Sequence, residues 1–595
     1  MSSMQQIAAM KGTLVPVLSE RSLECKLLAT LGCLLAVSVY GLRWRKRRRI
    51  LRRMEEERER REDSVRLMQE ALRRFLQQSP GLDHRRILGL TLVELAEELK
   101  DGALSPETAL YVYVKKALEV HKSLNCVTVF LSDCEDQLKK LRESGVKGPL
   151  YGVPVSIKEH VGYQGHPSTC GLAQYLDVLE EEDSVIVKVL KKQGAIVFAK
   201  TNVPQSLICF ETSNTIYGHT KNPHNPAKGA SGSSGGEGAL IGGGGSVLGL
   251  GTDLGGSIRL PSSFCGIAGF KPTSLRLSMS GVRPCIDGMT AVPLCIGPMA
   301  RDVDGLVLAM RALLCDEMFK LDPNVSPIHF NEELFSSHKP LRIGYYEEDG
   351  FFLPSPGMRR VLLETKQLLG AAGHQLIPFK PPRVDYAYQM FLKTSIFGDG
   401  GKTLADKFKE NIVDIHLAES ASQFNLPALL TKTYSFLLRP IAPRISRILH
   451  SVAGPRSIKE HWMDHVALQE YQAEFIGEWK KMNLDVVLCP MLGPAFNIGY
   501  PGKLLAAISY TMLYNVLQFP AGVVPVGFVT KEDENALRHY TGYNDDSWDK
   551  CFKKAVADGV GLPLSVQCVA LPYQDELCLR LMKEVQTLHM RQMKR

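Results

Sequence analysis

Short apolar runs alternate with amphipathic stretches over most of this chain. Residues 151–157 (YGVPVSI), 195–199 (AIVFA), 341–345 (LRIGY) and 485–488 (DVVL) have the length and content of strands. Helical periodicity fills the intervals between them. That alternation predicts one large α/β body over 86–595, a central sheet covered by helices, with no repeat period and no second linker. The first eighty or so residues read differently. Residues 27–42 (LLATLGCLLAVSVYGL) form a sixteen-residue run without a charge, and 52–74 then mix Arg and Glu at helical spacing. The mixed stretch predicts an exposed helix with i,i+4 pairs, a solvated connector that ends at Pro80 and Gly81.

Composition changes the picture little, and charge changes it more. With 595 residues, 45% hydrophobic and 23% charged, the chain is an ordinary globular protein rather than a small binding module or a disordered one. The formal net charge of +8 comes from 71 Lys+Arg against 63 Asp+Glu. Eight of those bases lie within 43–53: Arg43, Arg45, Lys46, Arg47, Arg48, Arg49, Arg52 and Arg53, with no acid among them. Without that segment 63 bases face 63 acids, so no global basic field for nucleic acid is encoded. The 14 cysteines are scattered singly with no CxxC pair, which fits a reducing compartment and gives no metal site.

The basic segment acquires a meaning beside the apolar run. A spanning helix takes about 20 apolar residues, so a run of sixteen is short, but Trp44 and the stems of Lys26, Arg43 and Arg45 extend it toward the headgroups. A signal peptide would carry its bases before the apolar run, and here they follow it. The expectation is an uncleaved transmembrane helix over 27–43, with 1–26 on the lumenal side. A charged connector over 44–85 and the body at 86–595 then lie on the cytosolic side of an endomembrane such as the endoplasmic reticulum. The alternative is a helix lying on the membrane surface.

The most informative segment is 229–272 (GASGSSGGEGALIGGGGSVLGLGTDLGGSIRLPSSFCGIAGFKP). A Gly/Ser tract is normally a flexible linker, but a linker does not interleave Ala-Leu-Ile, Val-Leu-Gly-Leu and Ser-Ile-Arg-Leu-Pro. These are packed segments whose glycines permit close backbone approach. A phosphate cradle is excluded, because Gly401-Lys402-Thr403 is preceded by Ile396 where the first glycine belongs. No G-x-G-x-x-G opens a helix after a strand, so a dinucleotide site lacks its fingerprint. Gly232-Ser233-Ser234-Gly235-Gly236 also fits the elbow G-x-S-x-G with Ser234 central, a pattern that arises readily by chance in such a tract.

The whole segment resembles the amidase signature family. The resemblance is carried by Gly232-Ser233-Ser234-Gly235-Gly236, by Asp253-Leu254-Gly255-Gly256-Ser257-Ile258-Arg259-Leu260-Pro261, and by a lysine closing an apolar strand in Gly152-Val153-Pro154-Val155-Ser156-Ile157-Lys158. Ser231 stands where the pattern opens with glycine. The resemblance implies an α/β amidase-signature fold with a central mixed, twisted sheet. It implies Ser257 as nucleophile, Ser233 as bridging serine and Lys158 as base, with no metal and no organic cofactor. Physics agrees, since a serine hydroxyl needs an adjacent base and a lysine can be one only when burial keeps it neutral. The backbone N–H groups of Leu254, Gly255, Gly256 and Ser257 are expected to hold the oxyanion. Asp253 and Arg259 are expected to be ligands of the turn rather than reactants.

Two features favour a lipid substrate within that family. One is the membrane segment. The other is 426–449, whose Leu426, Leu429, Leu430, Phe436, Leu437, Leu438, Ile441, Ile445 and Ile448 alternate with Lys432, Arg439, Arg444 and Arg447 and no acid. That pattern predicts a membrane-binding cap over 421–452, against an amphipathic core helix with a basic outer face. Thr201-Asn202-Val203-Pro204-Gln205-Ser206, the segment from Ser509 to Asn515 and the segment from Pro520 to Pro525 extend the resemblance to the family's membrane-bound hydrolases. It implies a homodimer that cleaves fatty-acyl amides, N-acylethanolamines and primary fatty amides, at a lipid bilayer. The rivals are a tethered amidase or esterase for another acyl group, and a catalytically silent membrane scaffold.

Overall fold

The computed structural model of the chain describes residues 3–79, 81–145, 147–423 and 427–593. It divides into Met1–Glu56 and Glu57–Arg595. A helix, α1 (Ser3–Gln78), carries the N-terminal unit, where Leu28, Leu34, Leu35, Val37 and Leu42 are exposed. No described helix is long and apolar enough to cross a membrane, so the span expected over 27–43 finds no support in the fold. Its sixteen uncharged residues fall below the usual minimum.

The connector is also not the solvated helix expected. From Glu57 onward it belongs to the body. Met68, Ala71 and Phe75 recur at helical spacing and are buried, and the Phe75 ring stacks on Tyr111 at 4.7 Å. The Tyr217 hydroxyl donates to Glu57 Oε1 at 2.8 Å, and Arg58 Nε donates to the Ile216 carbonyl at 2.9 Å. The charged residues hide this because only a narrow apolar stripe is needed to dock a helix. Local pairs do form, an i,i+4 pair of Arg52 with Glu56 and an i,i+3 pair of Arg66 with Asp63 among them.

The body is built on one eleven-stranded mixed sheet. Its strands are β1 (Val127–Phe130), β2 (Pro154–Lys158), β3 (Ile196–Thr201), β4 (Leu248–Asp253), β5 (Ala268–Lys271) and β6 (Cys295–Ala300), then β7 (Arg342–Tyr345), β8 (Gln375–Pro378), β9 (Val486–Pro490), β10 (Ala521–Phe528) and β11 (Pro563–Ala570). In space they run β1-β3-β2-β4-β6-β5-β10-β11-β9-β7-β8. All four strands expected from sequence are present. β2, β3 and β4 are buried at every position, as strands covered on both faces must be, which is why 151–157 and 195–199 read as mainly apolar runs.

Register at the centre places the chemistry. β2 is parallel to both β3 and β4, with Ile157 opposite Lys200 and Leu250. Lys158 therefore ends β2 at the same edge where Thr252 and Asp253 end β4. Carboxyl ends of parallel strands are where open α/β sheets bind their ligands. Helix α2 (Gly235–Gly242) packs its glycines on this region, and α3 (Arg259–Cys265) follows the turn after β4. A Cβ on Gly236 would stand 2.3 Å from the Asn202 backbone nitrogen, so the tract is a packed element and not a linker.

Candidate active site

Lys158 is wholly buried at the end of β2, and its Nζ lies 2.7 Å from Ser233 Oγ and 2.8 Å from Thr252 Oγ1. Burial pushes its amine down to about 7, although Asp253 and other carboxylates pull the opposite way. A lysine in this state is partly neutral near pH 7 and can take a proton. Ser233 and Ser257 line one cleft together with Thr252, Leu254 and Gly255. Ser234 does not. Its hydroxyl is spent on β4, donating to the Thr252 carbonyl and accepting from the Thr252 N–H, each at 3.2 Å. The elbow arrangement is therefore absent.

The turn carrying Ser257 is held by a buried ion pair. Asp253 Oδ2 accepts from Arg259 Nε at 3.0 Å, and Oδ1 accepts from Arg259 Nη2 and Asn515 Nδ2, both at 2.9 Å. Burial alone would raise the Asp253 carboxyl, but Arg259 and Asn515 hold it well below the carboxylate range. Both residues are ligands of the turn, as expected. One expected oxyanion donor is otherwise engaged: the Gly256 N–H donates to Asp253 Oδ1 at 2.7 Å. The carboxylate is the stronger acceptor, which leaves Leu254, Gly255 and Ser257 as candidate donors. Ser231 adopts φ of +65°, the region that favours glycine, and its hydroxyl is buried without a hydrogen-bond partner.

A family model described as Amidase matches residues 108–579. The chain belongs to the amidase family. It is 49% identical over 558 residues to "Fatty-acid amide hydrolase 1" of Sus scrofa, covering 94% of this chain and 96% of the relative. It is 52% identical to "Vitamin D3 hydroxylase-associated protein" of Gallus gallus over 74% of this chain and 96% of that one. A solved structure titled "Fatty acid amide hydrolase" superposes with a TM-score of 0.74 at 26% identity, covering 91% of this chain and 95% of that chain. The chain is thus an amidase, an enzyme that hydrolyses amides.

The cleft of this amidase encloses about 710 Å³, part of it open to solvent, and is walled by Ile208, Phe210, Phe391, Ile396, Leu505 and Ile508. A second, mainly apolar cavity of about 820 Å³, also partly open to solvent and with Glu419, Ser420 and Lys503 on its lining, shares five of those walls, Ile208, Phe391, Ile396, Leu505 and Ile508, and continues past Trp548 to Ile448 and Val452. These last two belong to α5 (Pro443–Val452), which pairs with α4 (Ala428–Leu438) across the region expected to be a cap. Leu429, Phe436 and Ile441 are 77%, 72% and 80% exposed. Leu426 lies outside the described residues. Two expectations for this region need correcting. Arg444 is not a basic flank but is buried, donating to Asp546 at 2.6 Å and to Asp549 at 3.1 Å, with its guanidinium 4.5 Å from the Phe352 ring. Ile448 likewise faces inward to the second cavity.

Sequence reasoning missed the residues that surround the amine. Thr252 bonds Lys158 directly, and His160 Nε2 lies 2.8 Å from Thr252 Oγ1. His160 follows Lys158 by only two residues, and that spacing at a strand end was the available signal. The cleft walls at Phe391, Ile396 and Ile508 come from distant segments and carry no motif.

Proposed function

We propose that this amidase is a membrane-associated serine hydrolase of fatty-acid amides, N-acylethanolamines and primary fatty amides, acting through Ser257, Ser233 and Lys158. The observation that carries the reading is the 2.7 Å contact between the buried Lys158 amine and Ser233, at the head of an apolar cleft that also holds Ser257. The relatives named fatty-acid amide hydrolases support the substrate class. In this reading the proton of Ser257 passes to Ser233 as that of Ser233 passes to Lys158, and Ser257 Oγ bonds to the carbonyl carbon. The oxyanion rests on backbone N–H groups of the Leu254–Gly255–Ser257 turn. As the C–N bond breaks, the proton returns through Ser233 to the leaving nitrogen. Water then releases the acid from the acyl-enzyme by the same relay.

Attachment to a lipid bilayer belongs to the same proposal. It is supported by the exposed apolar residues of 28–42 beside the basic run 43–53, and separately by Leu429, Phe436 and Ile441 in the body. A homodimer is supported by helix α6 (Ile458–Lys481), where Ile458, Trp462, Met463 and Val466 form an exposed apolar stripe. The test is labelling by a fluorophosphonate, with hydrolysis of amides from short to long acyl chains in the presence of membranes. Labelling that disappears in Ser257→Ala, with preference for long chains, is expected. Ser257-independent labelling would reject the nucleophile, and preference for short soluble amides would reject the lipid substrate.

A further inference from the structure

A neutral lysine amine has two hydrogens and one lone pair, and it accepts a proton from Ser233 only when the lone pair is the part that faces it. The groups around Nζ decide this. His160 is wholly buried, and its Nδ1 lies 2.6 Å from the Arg283 carbonyl oxygen. A carbonyl has no hydrogen to give, so Nδ1 carries the imidazole proton and Nε2 keeps its lone pair. The ring is held in place, because the Arg283 N–H donates back to the His160 carbonyl at 3.0 Å. Burial holds the imidazole pKa well below its ordinary value and so favours the neutral ring.

Polarity then passes along the chain of bonds. Nε2 lies 2.8 Å from Thr252 Oγ1 and can only accept, so the Thr252 hydroxyl hydrogen points at the histidine. The same oxygen presents its lone pairs to Lys158 Nζ at 2.8 Å and takes one amine hydrogen. The Thr252 carbonyl, 3.4 Å away, is placed for the second. What remains on Nζ for Ser233, at 2.7 Å, is the lone pair. We propose that His160 is a positioning residue for the amide-cleaving reaction: it fixes the Thr252 hydroxyl as an acceptor and so turns the Lys158 lone pair onto Ser233. This rests on the Ser257–Ser233–Lys158 reading above. After proton uptake the third N–H of the ammonium points along the same line, ready to return through Ser233 to the leaving nitrogen.

The test compares His160→Leu and Thr252→Val, which break the chain, with His160→Gln and Thr252→Ser, which keep a donor and acceptor or a hydroxyl. Ser257→Ala and Lys158→Ala are controls. With a long-chain primary amide, the breaking variants are expected to lose on the order of 10- to 100-fold in kcat, part of what positioned proton transfer contributes. KM should change by less than about twofold, the methyl ester of the same acid should lose less, and the Gln and Ser variants should recover most of the rate. Since Thr252→Val keeps the side chain's shape, and its rescue by Ser is read in the same assay, misfolding does not imitate this pattern. Amide kcat unchanged in Thr252→Val and His160→Leu would overturn the proposal, as would equal losses for amide and ester, or Gln and Ser variants no better than Leu and Val. Hydrolysis surviving in Ser257→Ala would instead bring down the catalytic reading and this proposal with it, and that variant alone tells the two failures apart.

Discussion

In the proposed relay a buried lysine brought down to about 7 gains a proton-accepting form at some cost to stability. In that relay the proton-free amine is the active form, so kcat/KM for an amide should be level above about pH 7 and fall about tenfold per pH unit below it. A pH–rate profile checks this. In the unfolded chain the same lysine keeps an ordinary pKa near 10.4, so between the two values the unfolded state binds the extra proton. The lysine's contribution is therefore unfavourable at and below neutral pH and relaxes as pH rises. Lys158→Met, expected to lose amide hydrolysis, should melt above the parent at pH 7, and the gap should narrow toward pH 10 when followed by calorimetry. Ser231 is a second residue whose backbone works against it, with φ of +65° and a hydroxyl lacking a partner. Ser231→Gly should raise stability by roughly 1 kcal/mol, the usual relief of a left-handed residue, read as a higher Tm.

At the scale of elements, the sheet and the turn after β4 share the task. β2 and β4 deliver Lys158 and Thr252 to one edge by register, while the turn depends on its own geometry. Gly256 has φ of +132°, and a Cβ there would stand 2.3 Å from Thr511 Oγ1. Gly256→Ala should therefore abolish fluorophosphonate labelling of Ser257. Removing Arg259 would strand the Asp253 carboxylate in the interior. Arg259→Met should lose about 3–5 kcal/mol in a guanidinium unfolding curve. Much of this was legible in the chain, because Ser233, Asp253, Ser257 and Arg259 sit within one dense motif and Lys158 ends a recognisable strand. Thr252 lies inside the same motif and was passed over, since its hydroxyl becomes informative only when β2 brings Lys158 beside it. Arg444 was misread for the complementary reason. Its partners Asp546 and Asp549 lie about a hundred residues away, and no local pattern shows that a basic residue on an apolar helix has an acid to meet. The connector erred similarly, as charges outnumber the few apolar residues that dock it.

For the molecule as a whole, the exposed apolar residues of α4 and of the link to α5 predict a separable membrane function. Replacing Leu429, Phe436 and Ile441 together by Glu should reduce binding to phospholipid vesicles, read by sedimentation, and leave hydrolysis of a short soluble amide unchanged. The two cavities behind that surface have a further consequence. They share the lining residues Ile208, Phe391, Ile396, Leu505 and Ile508, so in the proposed fatty-amide reading an acyl chain that outgrows the first cavity runs along the same walls into the second. Each buried methylene is worth about 0.8 kcal/mol, but only where there is wall to receive it. In the proposed reading the two cavities together act as a ruler, and specificity plotted against chain length should keep climbing past the length that fills the first and level off only where the second runs out of wall.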